Sequence, residues 1–447
     1  MSAGAGEAVP GEHGGAPPGP APAAPLYARL PRGPHRLDRR TVARHQRLRI
    51  HGAMVQAVAA DGYDAVSVRQ VVALAGVSRR SFYEQFTSKQ ECFLETYDLL
   101  ARRQLATAYG EYRRASADRL AAALDSCADF VTNEPAAATL VLIEARAAGA
   151  PGARRIRAAA GAWERLLGDA LAGTPLAPAP AAGSISAILG GLQGLMAARL
   201  RERSPTARPA LAEQLRWWAL SPKTPPSAAT AGHLASFLRE GTRRSASAVA
   251  TRRLAVEPRG ERERLLAAAL RAAARNPVAL ISAAQICDEA GLALEVFFEL
   301  FDDRDECLRA ALAAAGERVL AITVGAAAAG PAWPRALRGT LAALLSYLAA
   351  NPLQARALTV LAPCAGAECR DYGRRLDSEL ARLLGSGFPS DGETGGEALV
   401  GALWHLVRCH LADRRIRFLP CVADHLALLA LAPALGADGA AAALLDG

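Results

Sequence analysis

The clearest hydrophobic pattern in the chain lies between residues 38 and 60. A stripe of residues recurs there at spacings near three to four, which predicts a helix with one buried face; its members are Val42, His45, Leu48, Met54 (with Ala53), Val55 and Val58. Gly62 is expected to end this helix, because glycine accepts the positive φ that is common at helix ends.

Three shorter patterns follow, each introduced by a serine that can cap a helix: Ser67, Ser78 and Ser88. Gln70 and Glu91 lie three residues after the first and last of these serines, which predicts a capping box at both places. Gly76 permits a tight turn between the second and third helices. The fourth helix is expected to extend from Lys89 to about Tyr112.

The short third helix has an apolar side and a polar side. Phe82 and Phe86 are spaced to face the core. The remaining faces carry Arg79, Arg80, Ser81 and Tyr83. Arginine can donate two hydrogen bonds to one guanine, whereas serine, tyrosine and lysine side chains can hold phosphates. The pattern therefore predicts a helix-turn-helix that reads the major groove of DNA.

A basic stretch precedes these helices. Eight arginines and one acid, Asp38, lie between residues 29 and 49. The stretch is either a solvated helix start or an arm that contacts DNA phosphates or the minor groove. Its position directly before the helix-turn-helix favours the arm. The predicted DNA contacts are Arg36, Arg39, Arg40, Ser67, Ser78, Arg79, Arg80, Ser81, Tyr83 and Lys89.

Residues 61–89 resemble the N-terminal domain of the TetR/AcrR family of bacterial transcription regulators. The matching residues are Asp61-Gly62-Tyr63, Ser67-Val68, Ala75-Gly76-Val77-Ser78, Phe82-Tyr83, Phe86 and Ser88-Lys89. The resemblance implies a three-helix unit that binds operator DNA. It also implies a helical C-terminal domain that dimerises and holds a small-molecule effector. The glycine-containing helix near 184–203 is then either half of a four-helix dimer contact or an ordinary core helix.

When the sequence is aligned with itself at an offset of 215 residues, the first pattern recurs. Residues 268–307 align without gaps on 53–92, and 12 of the 40 positions are identical. The capping residues Ser282 and Gln285, the turn at Gly291 and the anchors Phe297 and Phe301 are retained. These retained residues are the ones that the fold requires.

The outward residues of the first unit have different counterparts in the second. Leu294 and Glu295 replace the two arginines, and Phe298 replaces the tyrosine. Acidic residues surround Arg304, the one remaining cation, and phosphate would repel them. We therefore expect two TetR-like units in tandem, of which the second keeps the fold and loses DNA binding.

The chain is predicted to be all-α, because alanine and leucine dominate it and aromatic residues are few. Its predicted parts are a disordered tail at 1–28, a helix-turn-helix DNA-binding domain at 29–92, a helical ligand and dimerisation domain at 93–220, a linker at 221–257, a degenerate second helix-turn-helix domain at 258–307, a second helical domain at 308–435 and a tail at 436–447.

Composition adds little to this picture. The net charge of +9 agrees with a nucleic-acid partner, although arginine-rich composition also follows from a GC-rich genome. The eight cysteines form no CxxC pair and are expected to be reduced core thiols. We expect no signal peptide, and no uncharged run long enough to span a membrane.

No catalytic motif, cofactor or metal site is expected. His405 and Cys409 have acceptable ligand spacing for a metal, but they lie in an apolar stripe that favours a core position. No pocket residue stands out from the core; Trp163, Tyr347, Trp404 and His405 are conceivable linings.

Two hypotheses follow. The first is a cytoplasmic DNA-binding regulator, a repressor that acts as a homodimer and leaves operator DNA when a small molecule binds. The second is an interaction or ligand-sensing protein whose tandem units form an intramolecular pseudo-dimer with weak DNA binding.

Overall fold

A computed structural model describes residues 39–171, 182–202, 207–220, 227–249, 260–276, 278–328, 333–388 and 391–445. Within these ranges the chain is helical and contains no strand, so the all-α prediction is confirmed. The predicted tail at 1–28 and Arg36 lie outside the described residues.

The described residues of the first half of the chain form nine helices. They are α1 (Arg39–Ala65), α2 (Val68–Ala75), α3 (Arg79–Tyr83), α4 (Lys89–Arg114), α5 (Arg119–Asn133), α6 (Pro135–Leu142), α7 (Gly149–Leu171), α8 (Ala182–Arg201) and α9 (Arg208–Leu220). Helix α6 is followed by a 3-10 segment at Glu144–Ala148. Gly62 has a φ of 77° and bends α1 near its predicted end.

Helix α10 (Ala228–Val249) occupies much of the predicted linker. Leu234 is buried, and Phe237 packs against the core with the Arg338 guanidinium 5.0 Å from its ring centroid. The linker therefore contains a helix that is docked on the second half of the chain.

In the second half, the part of the chain that the structure describes forms ten further helices. They are α11 (Glu261–Arg275), α12 (Ala283–Ala290), α13 (Leu294–Leu300), α14 (Arg304–Ala328), α15 (Trp333–Ala350), α16 (Pro352–Arg356), α17 (Ala362–Cys364), α18 (Ala367–Gly385), α19 (Gly392–Ala412) and α20 (Ala423–Leu445). Short 3-10 segments at Val278–Leu280 and Ile416–Val422 and a π turn at Ala357–Leu361 connect some of them.

The prediction of a tail at 436–447 is wrong for the residues that the structure describes. Gly436, with a φ of 70°, bends α20, and the helix continues to Leu445. Ala440, Ala441 and Leu444 are fully buried, because this alanine- and leucine-rich segment places its apolar residues on the core at helical spacing.

The C-terminal segment also bears on the membrane prediction. Ile416–Leu445 is long and apolar enough to cross a membrane by length and composition, which the sequence pattern did not predict. Leu426, Leu431 and Leu444 are nevertheless buried in the protein core. A core helix of this composition satisfies the same criterion.

The most extensive contact between two helices in the described chain joins α8 of the first half to α19 of the second. A Cβ atom added to Gly194 would lie 2.8 Å from the Gly401 Cα atom, and one added to Gly190 would lie 2.9 Å from the Gly401 carbonyl oxygen. Arg199 forms an ion pair with Glu397 across the same contact. The glycine pattern predicted for this helix thus serves a close approach between the two halves.

Other residues extend this contact. The Trp217 ring centroid lies 6.2 Å from that of Phe388, and Gln214 Nε2 donates to Thr394 Oγ1 at 3.0 Å. One buried cluster accordingly runs through both halves, whereas α11–α14 have a separate cluster that includes Leu265, Phe297 and Leu312. All eight cysteines lie in the described ranges as free thiols, six of them buried.

Adding one methyl group to α8 should therefore weaken the fold. We expect Gly194→Ala to lower the free energy of unfolding by about 1–3 kcal/mol, because the new Cβ atom would overlap the α19 backbone. Gly339→Ala is the matched control, because it adds the same methyl group to an exposed helical glycine with no atom within 4 Å. It should stabilise the protein by about 0.5–1 kcal/mol. Urea denaturation followed by circular dichroism measures both, and equal effects of the two substitutions would contradict this role of Gly194.

Candidate nucleic-acid interface

The geometry of α2 follows from its two ends. Ser67 Oγ accepts a hydrogen bond from the Gln70 backbone at 3.3 Å, and Gln70 Oε1 accepts one from the Ser67 backbone at 2.8 Å. Gly76 ends the helix in the left-handed region, with φ 58° and ψ 41°. The predicted capping box and the glycine turn are both present, and they set the direction in which the chain enters α3.

A serine cap and two buried phenylalanine side chains hold helix α3 in place. Ser78 Oγ caps it by accepting from the Ser81 backbone at 3.0 Å. Phe82 and Phe86 are buried, and their ring centroids lie 5.5 Å apart. The Phe86 ring contacts His51 and Arg47 of α1, and the opposite face of α3 is left in solvent.

The solvent face of α3 carries the two predicted base-reading arginines. Arg79 and Arg80 are exposed, and Tyr83 is 47% exposed. The Arg79 guanidinium lies 5.8 Å from the Tyr83 ring centroid. Arg80 Nε donates to Glu84 Oε1 at 3.0 Å in an exposed pair that contributes little and can be exchanged for a partner on DNA.

The three predicted serines differ in their surroundings. Ser67 and Ser78 are exposed but cap helices through their hydroxyl groups. Ser81 is half-buried, and its hydroxyl lies 2.9 Å from the Ser78 hydroxyl. The Ser67 hydroxyl donates its proton to Gln70 Oε1 at 2.9 Å, so a phosphate contact by Ser67 would have to replace that hydrogen bond.

Lys89 turns inward. Its Nζ atom donates to the Tyr63 carbonyl at 2.9 Å and the Asp64 carbonyl at 3.4 Å, and it lies 4.4 Å from the Tyr63 ring centroid. Burial lowers the pKa of Lys89, and the Asp64 carboxylate partly opposes this shift. Lys89 thus joins the start of α4 to the end of α1; a phosphate contact by this residue stays a prediction.

The serine before α4 forms only part of its predicted capping box. Ser88 Oγ accepts from the Glu91 backbone at 3.1 Å. The Glu91 carboxylate, however, accepts from the Thr87 backbone at 2.5 Å and the Thr87 hydroxyl at 2.6 Å. The return bond is made one residue earlier than predicted, because Thr87 offers two donors to one carboxylate oxygen.

The basic arm is described only at its end. Arg39 is the first residue of α1, and Arg40 is exposed on the next position. Arg49, farther along α1, donates to the carbonyls of Ala75 and Gly76, the latter at 3.0 Å. Sequence reasoning counted Arg49 only as part of the basic stretch. Its role in holding the turn depends on a contact between α1 and α2 that periodicity does not reveal.

A buried histidine supports the same domain. His51 Nδ1 lies 2.8 Å from Thr96 Oγ1, and its ring packs edge-on against Phe86 with centroids 5.4 Å apart. Burial lowers the pKa of His51 to about 4, and the nearby Arg47 cation acts in the same direction. His51 is therefore neutral at physiological pH, which permits its burial beneath α3.

The second unit reproduces the supporting contacts. Ser282 and Gln285 form a capping box, and Gly291 adopts φ 64° and ψ 44°. Arg264, which is 215 residues after Arg49, donates to the Ala290 carbonyl at 2.7 Å and to the Gly291 carbonyl at 3.1 Å. Arg304 donates to the Ile281 carbonyl at 3.0 Å, as Lys89 does to the end of α1.

The outward face of the second unit is apolar and acidic. Ala293 stands at the N-cap of α13 without a side-chain hydrogen bond. Leu294 is 40% exposed, Phe298 is 56% exposed, and Glu295 is exposed between them. This face lacks donors for bases or phosphates and places a carboxylate where Arg80 lies in the first unit.

The histidine and cysteine of α19 lie beside a carboxylate that the sequence pattern did not identify. Glu164, His405 and Cys409 bring their potential ligand atoms within 4.8 Å of one another. Arg157 Nη1 lies 3.1 Å from Glu164 Oε2, and Ser186 Oγ donates to Glu164 Oε1 at 2.6 Å. The arginine already neutralises this carboxylate, which disfavours a divalent cation there.

Two cavities include residues considered as pocket linings. Trp163 lines a cavity of about 70 Å³ within the first half, together with Phe130 and Leu189. Trp404 lines a much larger cavity of about 700 Å³ between the halves. The larger cavity has room for a small organic molecule.

Comparison with known proteins supports the interpretation of α1–α4 as a helix-turn-helix domain. Residues 53–96 match the family model of bacterial regulatory proteins of the tetR family. No curated protein sequence matches the chain. One partly similar solved structure is the fatty acid degradation regulator FadR from Bacillus halodurans, with 17% sequence identity and a TM-score of 0.36. That alignment covers 38% of this chain and 96% of the FadR chain.

Proposed function

We propose that this protein is a cytoplasmic DNA-binding transcriptional regulator of the TetR type. The outward face of α3 is the observation that supports this proposal most directly, because it exposes Arg79, Arg80 and Tyr83. The Gly76 turn and two buried phenylalanines fix the position of this helix. The match of residues 53–96 to the tetR family model supports the same function.

The division of work on this face follows from side-chain chemistry. Arg79 and Arg80 read bases, because a guanidinium can donate two parallel hydrogen bonds to guanine O6 and N7. Tyr83, Ser67, Ser78 and Ser81 contact phosphates and hold the register. The arm residues Arg36, Arg39 and Arg40 add attraction to the DNA backbone, and Lys89 holds α4 against the Tyr63 and Asp64 carbonyls.

In this proposal the regulator is a repressor that a small molecule releases from its operator. Release requires that the ligand bind more tightly to a conformation with lower DNA affinity. Helices of both halves surround the 700 Å³ cavity, where such a ligand can act on their relative position.

The contact between the two halves favours an intramolecular pair of units. Helix α8 is covered by α19 of the same chain, with Gly190, Gly194 and Gly401 in backbone contact. The repeated capping box, glycine turn and arginine contact support a tandem duplication as the origin of this pair. A chain of this kind presents one DNA-reading face, so an operator with two half-sites recruits two chains.

Replacing the two arginines tests DNA recognition. We expect Arg79→Ala with Arg80→Ala to lower affinity for the operator by at least about 30-fold, because two bidentate base contacts are lost. The operator is first found by mapping bound DNA across the genome, and affinity is then measured by fluorescence anisotropy at fixed salt.

The second unit provides a matched control for this double variant. Leu294→Ala with Glu295→Ala changes the positions that are 215 residues further along and should leave affinity within about twofold. Unchanged affinity in the Arg79 and Arg80 variant would contradict the proposed reading face. A comparable loss in the control would contradict the assignment of reading to the first unit.

The particle mass in solution tests the intramolecular pair. Because α8 is covered within one chain, we expect light scattering without DNA to give 46.6 kDa. Twice that mass at micromolar concentration would instead support the homodimer.

A further inference from the structure

The cavity of about 700 Å³ lies where the two halves of the chain meet. Arg146 and Arg201 reach it from the first half, and Asp377, Trp404 and Arg408 reach it from the second. A site formed by both halves can respond to their relative position, which distinguishes it from the 70 Å³ cavity inside the first half.

Three of the arginines lining this cavity lie near one carboxylate without pairing with it. Among the described residues, none of Arg146, Arg201 and Arg408 forms a side-chain hydrogen bond or an ion pair within 4 Å with another protein group. Asp377 lies among them, and its Oδ1 atom accepts from Trp404 Nε1 at 2.8 Å. Three positive charges therefore face one negative charge in this part of the cavity.

Most other charged residues of the cavity wall already have partners. Arg370 pairs with Asp64, Arg374 with Asp371, and Arg382 with Glu379. Glu202 and Glu397 share Arg199 at the other end, where Glu393 is exposed to solvent. Glu144, the remaining acid of the wall, accepts from the Tyr63 backbone, so the arginines of the wall without an ion-pair partner in the described chain are the three around Asp377.

Arg201 is exposed to solvent, whereas the charges of Arg146 and Arg408 are unfavourable in the absence of a ligand. Burial lowers the pKa of Arg146 to about 9, with repulsion from Arg408 and Arg201 acting in the same direction. Burial also lowers the pKa of Arg408. Since each guanidinium presents a fork of donors that matches a carboxylate or phosphate, an anion would restore both the charge balance and the hydrogen bonds.

The wall beside the arginines is apolar. Ile143, Leu358 and Val400 line it together with the Trp404 ring. We propose that this cavity binds a small organic anion, with its carboxylate or phosphate on Arg146, Arg201 and Arg408 and its apolar part against these side chains.

The same cavity wall is bonded to the DNA-reading domain. Glu144 Oε2 accepts from the Tyr63 backbone at 2.8 Å, and Arg370 of the second half forms an ion pair with Asp64. Lys89 donates hydrogen bonds to the backbone carbonyls of Tyr63 and Asp64. An occupant that moves Glu144 or Arg370 thereby moves the connection between α1 and α2; this coupling, unlike the anion site, rests on the proposed DNA-binding function.

Calorimetric titration of the full chain with octanoate, octyl phosphate and 1-octanol tests the site. The two anions should bind, and the neutral alcohol, which has the same chain length, should bind at least about tenfold more weakly. Equal binding of all three compounds would show that the cavity is merely apolar and would overturn the proposal. Failure of both anions to bind would also overturn it.

Two single variants and one control locate the anion. Arg146→Gln and Arg408→Gln should each weaken octyl phosphate binding by at least about tenfold. Arg382→Gln removes a charge from the same wall that is already paired with Glu379 and should leave binding within twofold. Thermal melting without ligand verifies folding, and Arg146→Gln should melt no lower than the wild type, because it removes an unpaired charge. Unchanged binding in both folded variants would overturn the assignment.

The coupling is measured separately by repeating the operator titration with saturating octyl phosphate. A change of at least about threefold in DNA affinity is expected in the wild type and not in Arg408→Gln. Anion binding without such a change would overturn the coupling and leave the anion site standing. Calorimetry measures anion binding in the absence of DNA. A chain that binds the anions but no DNA would therefore contradict the proposed function and leave the anion site standing.

Discussion

The contact between the α8 and α19 backbones is the constraint on which the rest of the structure depends. Gly190, Gly194 and Gly401 leave no room for a β-carbon between these helices, so the two halves meet at backbone distance. One buried cluster then passes through both halves, and the 700 Å³ cavity opens beside the contact. Arg370 of the second half also forms an ion pair with Asp64 at the end of α1, so the second half contacts the first helix-turn-helix unit as well.

The two helix-turn-helix units share the contacts that support their fold and differ in the residues on their outward faces. Both keep the serine–glutamine capping box, the left-handed glycine and an arginine that holds the turn carbonyls. Only the first has cations on the outward face of its third helix; at the matching positions the second has Leu294 and Glu295. A scaffold can retain its shape after losing its ligand chemistry, because capping and core packing depend on residues that the ligand does not touch.

Local patterns predicted much of the reading domain, and contacts between distant segments account for what they missed. Ser67, Gln70 and Gly76 were predictable because a cap or a turn is specified within a few residues. The inward direction of Lys89 was not, since it depends on carbonyls 25 and 26 residues earlier. The burial of Leu444 and the grouping of Arg146 with Arg408 depend on how separate helices pack, which periodicity along one helix does not contain.

Amide hydrogen exchange with and without operator DNA tests the central claim most directly, because it reports on both helix-turn-helix units of one chain in a single experiment. The account predicts that DNA slows exchange in peptides covering residues 67–91 and leaves those covering 282–306 unchanged. Slower exchange in both regions would contradict a single reading face per chain. Slower exchange confined to 282–306 would reverse the assignment of the two units.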